Sequence, residues 1–182
     1  QNPGTTLHYS AYAATAAGVR IHGDTLSYKV PIPLHDGNIS QAVSAWIADS
    51  ASATESYGHI SNWYTGAVTN MTSLFIYKDS FNSDISGWDM SNVQYASQMF
   101  YGAEQFNQDL SGWDISNMTE ASKMFSGANS FQSDLSNWNV SSVNSFEEMF
   151  RNAYVFESDL GSWDVSASDN FAKMFNGASL FN

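Results

Sequence analysis

Five tryptophans, Trp63, Trp88, Trp113, Trp138 and Trp163, stand 25 residues apart without an insertion, and this period constrains the chain more than any other feature. The dipeptides Met99-Phe100, Met124-Phe125, Met149-Phe150 and Met174-Phe175 keep the same step, with Leu74-Phe75 in the matching place before them. Phe81, Phe106, Phe131, Phe156 and Phe181 keep it too. A fixed period in this range predicts a stack of small units, none of which can bury its large side chains alone.

Within one period, Leu110, Trp113, Ile115 and Met118 match the L-x-x-L-x-L-x-x spacing of a short strand on a leucine-rich inner wall. Leu135, Trp138, Val140 and Val143 repeat it, as do Ile85, Trp88, Met90 and Val93. The spacing then changes: Ala121, Met124, Phe125 and Ala128 fall at i, i+3, i+4 and i+7, which predicts one buried helix face. Gly102, Gly127 and Gly177, with Asn152 in the equivalent place, fall where a left-handed C-terminal cap belongs. Ser116 or Asn117 is placed to cap the helix start. The expected architecture is therefore an α/β solenoid, a leucine-rich-repeat-like stack of 25-residue strand-turn-helix coils with an N-terminal cap. Stacking buries Trp, Met and two Phe per coil, each contributing about 1.5–3 kcal/mol.

The period occupies 58–182 as about five coils and breaks off after Phe181-Asn182 in mid-pattern, so the array is expected to continue beyond the last residue. Residues 1–57 lie outside the repeat and are read as a cap for its first coil, a separate small domain being disfavoured by the poor core so short a stretch would hold. In the cap, Val19 and Ile21, then Leu26, Tyr28 and Val30, predict a hairpin turning at His22 to Asp24 and ended by Pro31 and Pro33. Asn38-Ile39-Ser40 is placed to cap a helix over about 40–49, whose stripe is Ile39, Ala42, Val43, Trp46 and Ile47.

Composition narrows the function classes. Acids outnumber bases 18 to 6, giving a net charge of −12, which argues against nucleic acid and against anionic membrane surfaces. No cysteine is present, so neither disulfides nor a thiolate zinc site is available. No signal peptide or membrane-spanning run is visible, and the start at Gln1 points to a processed amino terminus or a trimmed chain.

The motif FNQDLSGWDISNMTEASKMFSGA resembles the 25-residue surface repeat of the BspA-like leucine-rich-repeat proteins, the Mycoplasma lipoprotein-associated repeat family. The lead-in QAVSAWIADSASATESYGHISNW is similar to the segment that precedes such arrays, so the resemblance covers about 41–182. It implies an extracellular or cell-surface leucine-rich-like array with adhesion or protein binding as its role, and no catalytic residue. Departures fall at the ends: Tyr64-Thr65-Gly66 stands for Asp-x-Ser in the first coil, and Ala167-Ser168 for Asn-Val in the last.

The candidate sites are repeated polar positions. Asp89, Asp114, Asn139 and Asp164 are expected to form one column on the inner wall, and Ser91, Ser116, Ser141 and Ser166 a second, together the binding-face candidates. A further column, Asp84, Asp109, Asp134 and Asp159, precedes the strand, with His59 in the equivalent place of the lead-in. Adjacent strands lie about 4.8 Å apart, so stacked carboxylates repel unless water, a donor or a cation intervenes. Either each Asp accepts backbone N–H bonds in its own turn, or the columns hold Ca²⁺ or present an acidic face to a basic partner. Four N-glycosylation sequons begin at Asn38, Asn70, Asn117 and Asn139, though the repeat's own turn generates such triplets by chance.

No enzyme is expected. His8, His22, His35 and His59 lie outside the full coils, and His22-Gly23-Asp24 and His35-Asp36 lack a nucleophile or a metal-ligand spacing, so all four read as polar loop residues. No cofactor is called for beyond the candidate Ca²⁺. Two non-enzymatic readings stand: a surface binding or adhesion module recognising a protein or glycan, and a structural subunit of an extracellular filament, sheath or wall layer assembling head to tail.

Overall fold

The computed structural model describes residues 6–14, 20–29 and 31–182. Two strands, β1 (Thr6–Ala14) and β2 (Arg20–Lys29), pair antiparallel. The predicted turn at His22 to Asp24 is not a turn, because β2 runs through it. Ser10 faces Thr25 while Tyr12 faces His22, so Gly23 and Asp24 together oppose Ala11 in a β-bulge. The punctuation read as a chain reversal marks an extra residue instead. His8 and His22 accordingly lie in strands, not loops.

Two short helices follow, α1 (Ile39–Ala48) and α2 (Ser50–Tyr57). Ile39, Ala42, Val43 and Trp46 of α1 are buried, but Ile47 is exposed. Asn38 makes no side-chain cap on α1. Its amide accepts from His35 N–H (2.9 Å) and donates to the Pro33 carbonyl (2.9 Å), tying the preceding loop. The helix that is capped is α2, where the Asp49 carboxylate accepts from the N–H groups of Ala51 (3.0 Å) and Ser52 (3.3 Å). Trp46 carries α1 onto the repeats: its indole donates to Ser83 Oγ (3.0 Å) and packs edge-on against Trp63.

From Trp63 onward the described residues contain neither a strand nor an α-helix, and the expected α/β solenoid of strand-turn-helix coils is overturned. Each 25-residue unit is a series of turns. The only β-type pairing is one parallel bridge per unit, Asn70 to Tyr95, Tyr95 to Glu120, Glu120 to Ser145 and Ser145 to Asn170. In the segment read as helix, N–H groups alternate in direction. Met124, Ser126 and Ala128 donate three residues back within the unit, whereas Lys123, Phe125 and Gly127 donate to the Glu147, Met149 and Arg151 carbonyls of the next unit, at 2.7–2.9 Å. An α-helix would keep all six inside the unit. Two left-handed residues per unit enforce the alternation: φ is 60° at Lys123 and 74° at Gly127, and positive again at Gln98 and Gly102, Glu148 and Asn152, Lys173 and Gly177. Gly102, Gly127, Asn152 and Gly177 are thus left-handed as expected, but they cap no helix.

The segment read as strand is likewise two turns, Trp113 N–H donating to Leu110 and Met118 N–H to Ile115. Leu110, Trp113, Ile115 and Met118 still face inward, all buried, as are Ala121, Met124, Phe125 and Ala128. The core is a set of aromatic ladders. Phe75, Phe100, Phe125, Phe150 and Phe175 stack at successive centroid distances of 5.3, 5.5, 5.7 and 5.7 Å. A second ladder, Phe81 to Phe181, stacks at 5.9–6.0 Å. The indole N–H groups of Trp88, Trp113, Trp138 and Trp163 are each satisfied by a carbonyl 28 residues back, as Trp138 by Leu110 (3.0 Å). In the last unit the same positions are less covered: Phe171 is 42% exposed where Phe146 is fully buried.

At the other end of the stack, the N–H groups of Gln94 and Tyr95 donate to the Thr69 carbonyl, and those of Thr119 and Glu120 to Gln94. Thr69 and Asn70 have no preceding unit, and the Asp36 carboxylate takes its place. It accepts from both N–H groups (2.7 and 3.0 Å) and from the Thr69 hydroxyl (2.7 Å).

Candidate functional site

The predicted aspartate and serine columns lie on the turns, and the structure joins them pairwise. Asp114 Oδ1 accepts from Ser116 N–H (3.0 Å), Asp89 from both the N–H (3.0 Å) and the hydroxyl (2.6 Å) of Ser91, and Asp164 from Ser166 N–H (3.0 Å). Asn139 makes the same pair of bonds with Ser141 (3.2 and 2.7 Å). The column ahead of it behaves alike. Asp84, Asp109, Asp134 and Asp159 each accept from the N–H two residues on, at Ser86, Ser111, Ser136 and Gly161, all at 2.9 Å. These are Asx turns. Hydroxyl and then backbone hydrogen bonds from the paired serine hold the carboxyls of Asp84, Asp109, Asp114 and Asp164 below their ordinary value; for Asp134 the backbone bond of Ser136 comes first.

Between stacked aspartates the intervening group is a serine that the sequence reading passed over. Ser133 Oγ accepts from Leu110 N–H (2.8 Å) and lies 3.5 Å from Asp109; Ser158 Oγ does the same between Leu135 N–H (2.8 Å) and Asp134 (3.2 Å). Asp84, Asp109, Asp134 and Asp159, the Ca²⁺ candidates, are not gathered into a cage: among the described residues no three His, Asp or Glu side chains converge as a metal would require.

The sequon asparagines are exposed at Asn70, Asn117 and Asn139 and half-buried at Asn38. Asn117 Nδ2 donates to the Ser91 carbonyl of the preceding unit (2.8 Å), and Asn70 Oδ1 accepts from Thr72 N–H (2.9 Å). His59 Nδ1 sits 2.8 Å from Ser61 Oγ with its ring edge-on to Trp46, while His35 Nδ1 accepts from Gly37 N–H (3.1 Å).

Asp109 and Asp134 line one shallow groove of about 550 Å³ with Asn107, Gln108, Gln132 and Asn137, and a second groove lies above the left-handed column. This second groove, of about 400 Å³, is lined by Gly102, Gly127 and Asn152 together with Tyr77, Tyr101, Arg151, Asp79, Glu104, Asn129 and Tyr154. Gly102 is needed here for space as well as for its φ of 69°, since a Cβ would lie 2.7 Å from the Tyr77 ring. Tyr77 is 65% and Tyr154 47% exposed, and Tyr101 meets Tyr77 edge-on with centroids 5.1 Å apart. Arg151 is pinned by Nη1 to Glu148 Oε2 (3.2 Å), leaving its buried Nε without a protein partner. Glu148 is itself buried among Lys123 (4.0 Å), Arg151 and Lys173 (3.8 Å).

The groove residues carried a sequence signal that the repeat reading did not use. Tyr77 stands where later units have Gly or Asn, and Tyr154 where others have Asp, Glu, Asn or Ser. Both are breaks in the pattern, not parts of it.

Comparison with known proteins adds one match. The family described as "Mycoplasma protein of unknown function, DUF285" matches residues 44–133 and 112–182. No curated protein and no solved structure matches.

Proposed function

Because the chain belongs to the DUF285 family, we propose that it is a non-catalytic binding or adhesion module displayed at the cell surface, with its ligand, a protein or a glycan, held in the tyrosine groove. The observation that carries this reading is the pair of exposed tyrosines, Tyr77 and Tyr154, at places where the stack needs no aromatic side chain. Tyrosine gives large contact area at a low entropic cost and is enriched where surfaces recognise partners. The turn acids have a structural role of their own, since Oδ1 of each already accepts from its own serine. The motif's likeness to BspA-like surface repeats supports placement outside the cell, and no helix among the described residues is long and apolar enough to cross a membrane.

The test uses beads coated with the intact chain and incubated with cultured epithelial cells, alongside protease shaving of the intact producing cells. Cell attachment that falls several-fold in the Tyr77→Ala/Tyr154→Ala variant, with release of the chain by shaving, is expected. Equal attachment by both proteins, or a chain untouched by protease until the cells are lysed, refutes the reading.

A further inference from the structure

We propose that the groove binds a neutral oligosaccharide laid along the stack, and this assignment rests on the binding-module reading above. Its chemistry is that of a sugar site. Tyr77 and Tyr154 expose ring surface, against which the C–H face of a pyranose packs, while Asp79, Glu104 and the Asn129 amide oxygen offer acceptors to ring hydroxyls, the Asn129 nitrogen being spent on the Asn152 and Gly127 carbonyls. Tyr77 and Tyr154 belong to units three steps apart. Equivalent rings of successive units lie 5.3–5.7 Å apart in one phenylalanine ladder and 5.9–6.0 Å apart in the other, a spacing of the same order as one sugar ring in an extended chain. Successive rings of a short oligosaccharide would therefore meet successive units.

The same residues disfavour the other classes of ligand. An extended peptide could not add as a strand, because the floor's N–H groups are spent: Gly102 donates to Ser126 (2.8 Å) and Gly127 to Arg151 (2.7 Å). A sulfated, phosphorylated or uronic-acid chain would meet the carboxylates of Asp79 and Glu104, and the one cation at the rim, Arg151, is already paired with Glu148. What remains available is aromatic surface with neutral and anionic hydrogen-bonding groups.

The experiment is calorimetric titration of the intact chain with four neutral tetrasaccharides, those of β-1,4-glucose, β-1,4-N-acetylglucosamine, α-1,4-glucose and mannose, with tetra-galacturonate and tetra-lysine in parallel. At least one neutral tetrasaccharide should bind saturably. Tyr154→Ala and Glu104→Gln should each weaken it about tenfold, with the thermal midpoint unchanged. No saturation by any neutral tetrasaccharide at millimolar concentration overturns the proposal. So does binding that survives both substitutions, or binding confined to tetra-galacturonate or tetra-lysine. Because the titration uses purified protein, a failure here leaves the cell-attachment result standing on its own, with a protein as the ligand.

Discussion

Truncating one phenylalanine at two heights of the stack tests whether stability accumulates between neighbouring units. Phe125 is fully buried in a central unit. It stacks on Phe100 (5.5 Å, 5°) and Phe150 (5.7 Å, 3°), lies 4.1 Å from Phe131 and is tilted against Trp138 at 6.1 Å. Phe175 holds the equivalent place in the last unit, where it stacks on Phe150 and Phe181 alone and is only partly buried. Phe125→Ala leaves a cavity walled on both sides by rings that cannot collapse without breaking the ladder, so the loss should be about 3–5 kcal/mol. Phe175→Ala opens onto solvent and should lose roughly half of that, about 1.5–2.5 kcal/mol. In thermal melts the central substitution lowers the midpoint by about 6–20 °C for a chain of this size. Urea titration followed by tryptophan fluorescence measures both, the slope with denaturant serving to check that the same surface unfolds. Equal losses at the two heights would refute neighbour-by-neighbour stabilisation. A loss below about 1 kcal/mol for Phe125→Ala would refute its place in the core.

The other expectations concern polar groups. Asp36→Ala should destabilise the chain by about 1–2 kcal/mol, because the Thr69 and Asn70 N–H groups lose the carboxylate that stands in for a preceding unit; hydrogen exchange at those two amides should rise first. Asp84, Asp109, Asp114, Asp134 and Asp164 have folded carboxyl values below the unfolded one, so their contribution is present above about pH 4 and lost as pH falls through the folded values. The thermal midpoint should therefore hold from about pH 7 to 5 and drop at lower pH, and a midpoint flat down to about pH 2 would contradict the turn bonds. Glu148→Gln should cost about 1–3 kcal/mol in low-salt denaturant titration, since Lys123, Arg151 and Lys173 are left facing one another, and added salt should narrow the gap to the parent.

The core was legible in the sequence and the backbone was not. Ala121, Met124, Phe125 and Ala128 are buried, which is what the i, i+3, i+4, i+7 spacing asserts. That spacing is equally met by three overlapping turns, ending at Met124, Ser126 and Ala128, each of which brings the chain back to the same side. Periodicity reports which side chains face inward; it does not say where the N–H groups point. The deciding feature is the left-handed residue ahead of Met-Phe, and Ser73, Gln98, Lys123, Glu148 and Lys173 are not residue types that announce it. A helix of two or three turns has little stability of its own, so bonds to the next unit prevail. The hairpin expectation failed for a related reason, since Gly-Asp suits a bulge as well as a turn.

The polar half of the repeat divides along a line that the sequence drew without explaining. Polar residues shared by several units turn out to have work inside the stack: Asp109 and Asp114 close their own turns, Asn92 and Asn117 donate to the preceding unit's carbonyls, and the Ser133 hydroxyl links Leu110 N–H to Asp109. Asn139 shows that the recurring Asp is there for its acceptor oxygen, because an uncharged amide makes the same two bonds to Ser141. A group engaged in this way is a poor candidate for a ligand, which would have to compete with a bond the fold already needs. Tyr77 and Tyr154 have no counterpart in neighbouring units and both are exposed. In a chain built by repetition, the residues free to recognise something are those that break the repeat without breaking the stack, and two of them, Tyr77 and Tyr154, border one groove.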